Sequence, residues 1–301
     1  MAGTYRTRIA SHAADFDALR SVRETVFVEE QRVPRELELD ALDPACTHVL
    51  AEDADGRPIG TGRLTPDRRI GRMAVLPGWR GSGIGGALLH ALLRQAHDHG
   101  WQEVSLHAQV DAIAFYRRHG FIAHGERFHE AGIEHQSMRL RLDREIAVED
   151  GDAAVVIATS LARDGRRRLY IRSRELDPGL YDAPTVLESI RTFATAGRGN
   201  EVRILLHDAM AAQRNQAPLL SLAQRLPSVF AIREVDDPVD RNETSALLAN
   251  DAGGYYHRPL GHRFDGEAML FGAARARQLI DAFRPVWERS RPCTELRALG
   301  I

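Results

Sequence analysis

Arg80-Gly81-Ser82-Gly83-Ile84-Gly85-Gly86-Ala87-Leu88-Leu89 is the stretch on which the fold of the first half of this chain turns. Four glycines within six positions let the backbone take φ > 0 and approach a ligand closely. Successive N–H groups can then converge as an anion nest at the start of a helix. Arg80 adds a fixed charge suited to phosphate oxygens. The residues after the loop are helical in pattern: Ile84, Leu88 and Leu92 share a stripe, with Leu89, Leu93 and Ala96 beside it, so one face is buried. Met73-Ala74-Val75-Leu76-Pro77, a short apolar run closed by proline, suits a strand entering the loop.

Three phosphate-loop readings compete. A nucleoside-triphosphate loop ends in Gly-Lys-Ser/Thr, and Gly85-Gly86-Ala87 offers neither lysine nor hydroxyl. A dinucleotide fingerprint needs Gly-x-Gly-x-x-Gly near the start of a βαβ unit, whereas the spacing here is Gly81-x-Gly83-x-Gly85, far from the N-terminus. The third form, Arg-x-x-Gly-x-Gly, is satisfied by Arg80, Gly83 and Gly85. The plainer alternative is a glycine-rich turn that caps a helix.

Composition narrows the setting. At 301 residues the chain accommodates two domains, and its 44% hydrophobic and 27% charged content is ordinary for a soluble globular protein. A net charge of −2 gives no bulk reason to expect nucleic acid or an anionic membrane surface. No apolar run approaches the roughly 20 residues that span a bilayer, and the N-terminus lacks a signal-peptide pattern. Cys46 and Cys293 stand far apart, which opposes a disulfide framework or a cysteine metal site. The default location is the cytoplasm. Ten of the 13 histidines precede residue 136, but no His-Glu-x-x-His occurs, so no metal is expected. His97-Asp98-His99 reads as a solvated helix end stopped by Gly100.

Along the first half, Tyr5 to Ala10 alternates as a strand. Asp15 to Gln31 reads as a helix with Phe16, Leu19, Val22, Val26 and Phe27 on one side, broken at Val33-Pro34-Arg35-Glu36. Thr47 to Glu52 and Gly60 to Leu64 read as strands joined at Asp53-Ala54-Asp55-Gly56, a hairpin turn. Arg69 to Leu76 is a further strand, and beyond the glycine helix come strand Val104 to Ala108, helix Ala112 to Arg118, a turn at Gly120-Phe121 and strand Ser137 to Leu142. Arg144 to Asp152, acidic and aperiodic, reads as a linker. The expected domains are therefore 1–143 and 153–301, with 144–152 between them. In the second, strands Arg168 to Ser173, Val202 to His207, Val229 to Val235 and Ser245 to Ala249 alternate with helices Pro184 to Ala196 and Pro218 to Leu226, before a long helix Ala273 to Arg289. That alternation predicts an α/β layer with a parallel-type sheet. Arg163-Asp164-Gly165-Arg166-Arg167-Arg168 reads as an exposed turn, with an anion site as the sharper option.

The first half resembles the GNAT superfamily of acetyl-CoA-dependent N-acetyltransferases. The likeness rests on strand Met73-Ala74-Val75, the loop Arg80-x-x-Gly83-x-Gly85, and Ala112-x-x-x-Tyr116-x-x-x-Gly120-Phe121. It is more narrowly similar to the ElaA type through Val26-Phe27-Val28-Glu29-Glu30-Gln31, Glu38-x-Asp40, His48, and Gly132-Ile133-x-His135-x-x-Met138. The resemblance implies an α/β (α+β) GNAT fold with a splayed mixed central sheet, the strand of Met73 to Val75 diverging from that of Leu106 to Ala108. It implies acetyl-CoA as co-substrate, with the pantetheine arm on the backbone of Met73, Ala74 and Val75, and the pyrophosphate on Arg80, Gly81, Ser82, Gly83, Ile84, Gly85 and Gly86.

The reaction implied is direct attack of a primary amine on the thioester, which requires amine deprotonation, oxyanion stabilisation and protonation of the leaving thiolate. Tyr116 suits the last role, since a phenol of pKa about 10 can protonate a thiolate of pKa about 8.5; the plainer reading is an inward-packed tyrosine. Many family members carry a glutamate before the loop, but Arg69-Ile70-Gly71-Arg72 has no carboxylate. The candidate bases are then Glu30, Glu38, His48, His107 and His135, each of which is also readable as an ordinary satisfied polar residue. Gln109 stands where many relatives have asparagine, and can bond the cofactor or orient a water. The partner expected is a small-molecule or peptide amine, with no nucleic acid and no membrane, and a homodimer is left open. The missing glutamate leaves a rival reading, a non-enzymatic acetyl-CoA sensor whose second domain binds a ligand or partner.

The second half carries a fainter resemblance to half of a phospholipase D-like module, through Ala194-x-x-Gly197-Arg198-Gly199-x-Glu201-Val202-Arg203 and Phe283-Arg284-Pro285-Val286-Trp287. That family's His-x-Lys-x-x-x-x-Asp is absent: Asn242 to Asp251 holds neither histidine nor lysine. A non-catalytic α/β domain is expected.

Overall fold

The computed structural model describes residues 4–38 and 40–296; the outer ends of the two expected domains, 1–3 and 297–301, lie outside the described residues. The chain divides after Asp143 into two compact units. In the first, β1 (Tyr5–Ala10), α1 (Phe16–Arg23), α2 (Arg35–Glu38), β2 (Thr47–Asp53), β3 (Pro58–Leu64), β4 (Arg69–Val75), α3 (Ile84–Asp98), β5 (Glu103–Gln109), α4 (Ile113–Arg118), β6 (Ile122–Glu130) and β7 (Ile133–Arg141) follow in order. The strands form one sheet, β1-β2-β3-β4-β5-β7-β6. All neighbours are antiparallel except β4 and β5, which α3 connects as a parallel crossover.

That parallel contact is short. β4 and β5 pair only at Arg69↔Ser105 and Ile70↔Leu106, and from Gly71 onward they separate. The cause lies on the other side of β4, where Arg63 pairs with Gly71 and Thr61 with Ala74. Arg72 and Met73 therefore oppose the single Gly62, a bulge that bends the strand. Arg72 sits at φ 49°, a conformation that costs a non-glycine residue and persists only where its surroundings hold it.

Helix α3 buries the stripe expected of it: Ile84, Leu88, Leu89, Leu92, Leu93 and Ala96 are all buried. It lies close on β3 because that strand offers glycine. A Cβ at Gly60 would stand 3.0 Å from Leu88 Cδ1, 3.1 Å from Ile84 Cγ2 and 3.2 Å from Ala74 O. The helix expected over Asp15 to Gln31 is regular only to Arg23. From Glu24 to Glu30 it widens into i→i+5 turns, closing with Gln31 N–H donating to Val26 O at 3.1 Å. The β-branched Thr25, Val26 and Val28 crowd the regular turn there.

The second unit holds β8 (Ile146–Val148), α5 (Gly151–Asp164), β9 (Arg168–Ser173), α6 (Pro184–Thr195), β10 (Glu201–Leu206), α7 (Ala209–Arg214), α8 (Pro218–Arg225), β11 (Phe230–Glu234), α9 (Pro238–Arg241), β12 (Ala246–Asn250), β13 (Tyr255–Arg258), β14 (Gly266–Met269), α10 (Ala273–Arg289) and β15 (Arg291–Pro292). Its sheet runs β15-β11-β10-β9-β12-β13-β14-β8 and is mixed. Only β9, β10 and β11 are mutually parallel, so the parallel-type sheet expected is corrected to a parallel centre with antiparallel flanks. The linker reading of 144–152 is likewise corrected. Ile146–Val148 pairs with β14, and Asp150 caps α5, its carboxylate accepting from Ala153 N–H at 2.8 Å. Within the core Tyr170 packs edge-on against Phe283, which stacks on Trp287 with ring centroids 5.7 Å apart. Among the described residues no helix is long and apolar enough to cross a membrane.

Because α3 rests on Gly60, a Gly60→Val substitution should cost about 1–3 kcal/mol through overpacking and lower the thermal midpoint of the first unit. Calorimetry checks this; an unchanged midpoint would show that the helix can ride outward freely.

Candidate active site

The separation of β4 from β5 opens a cavity of about 390 Å³ in the first unit. Met73 reaches it from β4, His107 and Gln109 from β5, His135 from β7, Tyr116 from α4, and Glu130 from the end of β6. Register explains the grouping, since Gln109 lies opposite His135 and His107 opposite Ser137. Tyr116 is 8% exposed, packed edge-on against Phe115 and Phe121. Burial pushes its phenol well above the usual tyrosine range, so it keeps its proton at neutral pH.

Two imidazoles bracket Phe128, His107 edge-on at 4.8 Å and His135 stacked at 5.9 Å. His107 Nδ1 lies 3.1 Å from Glu130 Oε2, and His135 Nδ1 lies 2.8 Å from Ile133 O. A neutral ring that donates from Nδ1 carries its lone pair at Nε2, the form able to take a proton. Burial works against the Glu130 charge, but the hydrogen bond and charge of His107, with His135 and Arg69 behind, hold its carboxyl below the ordinary range.

The glycine loop has the conformation its composition suggests, with Gly81 at φ 76° and Gly83 at φ 83°. The amides of Gly81 to Gly86 precede the bond from Ala87 N–H to Gly83 O, at 3.1 Å. Gly85 and Gly86 face α4 closely: a Cβ would stand 3.6 Å from Phe115 Cζ and 3.2 Å from His119 Nε2 respectively. Burial takes the His119 imidazole down to about 4, so it is neutral there. The Ser82 hydroxyl donates to Trp79 O.

Other expected site residues are engaged elsewhere. Glu30 is not in the cavity lining; it binds Arg80 through both oxygens, at 2.8 and 2.6 Å, and Arg80 Nε donates to Val75 O at 3.1 Å. The hydrogen bond to Arg80 holds Glu30 below the usual carboxylate range, which makes it a poor base. Gln109 exchanges amide hydrogen bonds with Gln31, at 2.9 and 3.3 Å. His48 is 1% exposed and lies outside the cavity, its Nε2 2.8 Å from Asp43 O; burial takes its ring below the usual histidine range.

Glu38 does line the cavity, as part of a buried ionic network that the motifs did not reveal. Arg23 pairs with Glu38 and grips Asp43 at 2.9 and 3.1 Å. Arg63 bridges Asp43 at 2.6 Å and Asp40 at 2.9 Å. Arg72, the bulge residue, donates to Glu38 O at 3.0 Å and Leu37 O at 2.9 Å. The network thus holds α2 and residues 40–43 against α1, β3 and the strained turn of β4.

The family model described as "Acetyltransferase (GNAT) domain" matches residues 15–142, and "Domain of unknown function (DUF7931)" matches residues 150–299. The phospholipase D-like resemblance of the second half therefore finds no support. The chain is similar to the Bacillus subtilis "Uncharacterized N-acetyltransferase YjcF", 40% identical over 121 residues, which is 39% of this chain and 86% of that one. It is also similar to the Bacillus subtilis "Uncharacterized protein YyaT", 31% identical over 145 residues, 46% of this chain and 97% of the other. Among solved structures, Escherichia coli ElaA matches at 27% identity and a TM-score of 0.42, covering 46% of this chain and 100% of that one.

Burial pushes the Asp43 carboxyl upward, but hydrogen bonds from Arg23 and Arg63 overcome that and lower it to about 2. A depressed acid stabilises the fold above its unfolded pKa, and the benefit is lost as pH falls through the folded one. Asp43→Asn should therefore cost about 3–5 kcal/mol near neutrality, with the gap narrowing from pH 4 towards pH 2. Urea unfolding across that range measures it; a pH-independent gap would contradict the assignment.

Proposed function

The chain belongs, through its first unit, to the GNAT acetyltransferase family and is an acyltransferase enzyme; on that premise we propose that it moves an acetyl group from acetyl-CoA to a primary amine by direct attack. The observation that carries this reading is the gap between β4 and β5, bordered on one side by the edge of Met73 to Val75 that β5 leaves unpaired and lined by Tyr116. Acetyl-CoA supplies an activated thioester carbonyl. Backbone groups of Met73 and Val75 hold the pantetheine amides as an added strand would, and the amides from Gly81 to Gly86 cradle the pyrophosphate. Membership in an enzyme family opposes the sensor reading, whose one support is the missing carboxylate at Arg69 to Arg72.

His107, oriented by Glu130, takes the proton of the attacking ammonium at Nε2. The logic is that of any imidazole whose far nitrogen is fixed by a carboxylate, which sets the tautomer and supports the imidazolium once formed. His135 is the second candidate for the same step. Tyr116 delivers its proton to the leaving thiolate, and the raised phenol pKa suits a donor that must stay protonated until the bond breaks. Glu30 acts only through Arg80, as a positioning residue. The acceptor is a primary amine, and Glu38, Asp40, Arg69 and Arg72 border the same space.

Free thiol release over a panel of primary amines tests the proposal. The chain contains no lysine, so release without added amine cannot be self-acetylation of a lysine side chain. Tyr116→Phe should lower kcat roughly 10²-fold with acetyl-CoA affinity retained. His107→Gln should lower kcat roughly 10²-fold, and Glu130→Gln should lower it by less, each with acetyl-CoA affinity retained. Tight acetyl-CoA binding with no amine-stimulated release would overturn the reading. Gly83→Val, at φ 83°, should abolish acetyl-CoA binding, and unchanged affinity would remove the loop from the site.

A further inference from the structure

The second unit has a cavity of about 460 Å³ that acetyl transfer does not use. It forms where two helices end side by side. Arg163, Arg166 and Arg167 come from the end of α5 and the turn after it, and Arg198 from the turn after α6. All 40 basic residues of this chain are arginine, so the residue type alone carries no information. The informative point is that four arginines converge on one concave surface whose lining includes no carboxylate.

The two turns are braced as a unit. Arg167 Nη1 donates to Arg198 O at 2.8 Å, and Glu201 N–H donates to Arg167 O at 2.9 Å. Asp251 is consumed in this bracing, accepting from the Arg166 amide at 2.9 Å and the Arg167 amide at 3.0 Å. The buried Asn200 donates from Nδ2 to Phe193 O at 2.7 Å. Gly199, at φ +89°, lets the second turn close, and Gly165 is pressed on Phe193, where a Cβ would stand 2.8 Å from the ring.

A plainer account is that the arginines neutralise the two helix C-termini. Each terminus carries about half a negative charge, so two amount to about one charge against four guanidiniums. Of the neighbouring acids, Glu188 pairs with Arg191, and Glu201 with Arg168 and Arg203. With Asp164 at the end of α5 and Asp251 counted in full, the four guanidiniums still outnumber the negative charge. Arg166 and Arg198 have no carboxylate within salt-bridge distance among the described residues. The surplus is therefore positive, concave and pre-ordered.

We propose that this cavity binds the phosphate group of a phosphomonoester ligand. The planar guanidinium fork matches phosphate oxygens in pairs, and the volume is that of a small-molecule site, typically about 300–1,000 Å³. The cavity thus leaves room for an organic body beyond the phosphate, over Phe193 and Ala196. The phosphate can come from a soluble metabolite or from a lipid headgroup, and the chemistry of recognition is the same.

The test uses the full chain and the exposed pair Arg166→Ala/Arg198→Ala, which leaves the bracing Arg167 intact. Isothermal titration with glycerol 3-phosphate, and flotation with phosphatidylcholine vesicles with and without phosphatidic acid, separate the two sources. The wild type should bind one of these probes, and the double variant should bind it at least tenfold more weakly, or with one site fewer. Acetyl-CoA affinity should stay the same. Binding of glycerol 3-phosphate assigns a soluble ligand, and binding of phosphatidic acid vesicles alone assigns a lipid. Absence of binding to both probes, equal binding by wild type and variant, or a parallel loss of acetyl-CoA affinity would each overturn the proposal.

Discussion

The extra residue at Arg72 is the constraint on which the first unit depends. Without the bulge, β4 would continue alongside β5 and pair along its length, leaving no cavity and no free strand edge. With it, β4 turns away after Ile70, and Met73 to Val75 border the gap with backbone that β5 does not pair. A non-glycine residue at φ 49° is a local cost, and the ionic network offsets it. The Arg72 guanidinium is fastened to two backbone carbonyls, those of Leu37 and Glu38, while Arg23 and Arg63 anchor the same loop through Asp43 and Asp40. Such buried pairs are poor sources of net stability but strongly penalise any arrangement that separates them. Their contribution is to make this bent strand the conformation in which every charge is matched.

The glycine loop, its helix and the strand before it were legible in the sequence because their determinants are local. Gly81 and Gly83 at positive φ, and Leu88 and Leu92 on one buried stripe, follow from short-range sterics and helical periodicity. The rest of the site depends on contacts that no spacing encodes. Gln31 and Gln109 meet across 78 residues, and His107 meets Glu130 across 23. Glu130 ends β6 one turn before Ile133, so the hairpin register decides that it faces His107. Glu30 illustrates the converse. Its neighbourhood in sequence suggested an active carboxylate, yet its distance to Arg80, set by the widened turns of Glu24–Glu30, makes it an ion-pair partner.

The second unit shows where alternation of helix and strand misleads. Three strands separated by full helices, β9, β10 and β11, are parallel as that pattern requires. A further parallel strand needs a crossover of a dozen or more residues, usually a helix. The segment before β12 carries only the four-residue α9, and β12 enters antiparallel beside β9. From there tight turns rule. Gly253, at φ +104° and only 2.9 Å from the Ala273 backbone if given a Cβ, closes the β12–β13 hairpin. The apparent linker joined the sheet for the same reason: β14 left an edge, and Ile146–Val148 covers it.

Under the proposed reading, the state of the polar groups decides which of them govern donor affinity. Arg80 is already satisfied by Glu30 and Val75 O, and Gln109 by Gln31. A ligand that takes these groups exchanges one hydrogen bond for another, and exchanges of that kind yield little net free energy. The amides of Gly81 to Gly86, at the start of α3, lack intrahelical partners by geometry, as the first N–H groups of any helix do. Their alternative partner is water, and they are held in place by a loop that need not reorganise. Donor affinity should therefore be dominated by the glycine amides and the free edge of β4 rather than by Arg80. Opening the Arg80–Glu30 and Gln31–Gln109 pairs would instead set the rate at which the gap admits its ligand.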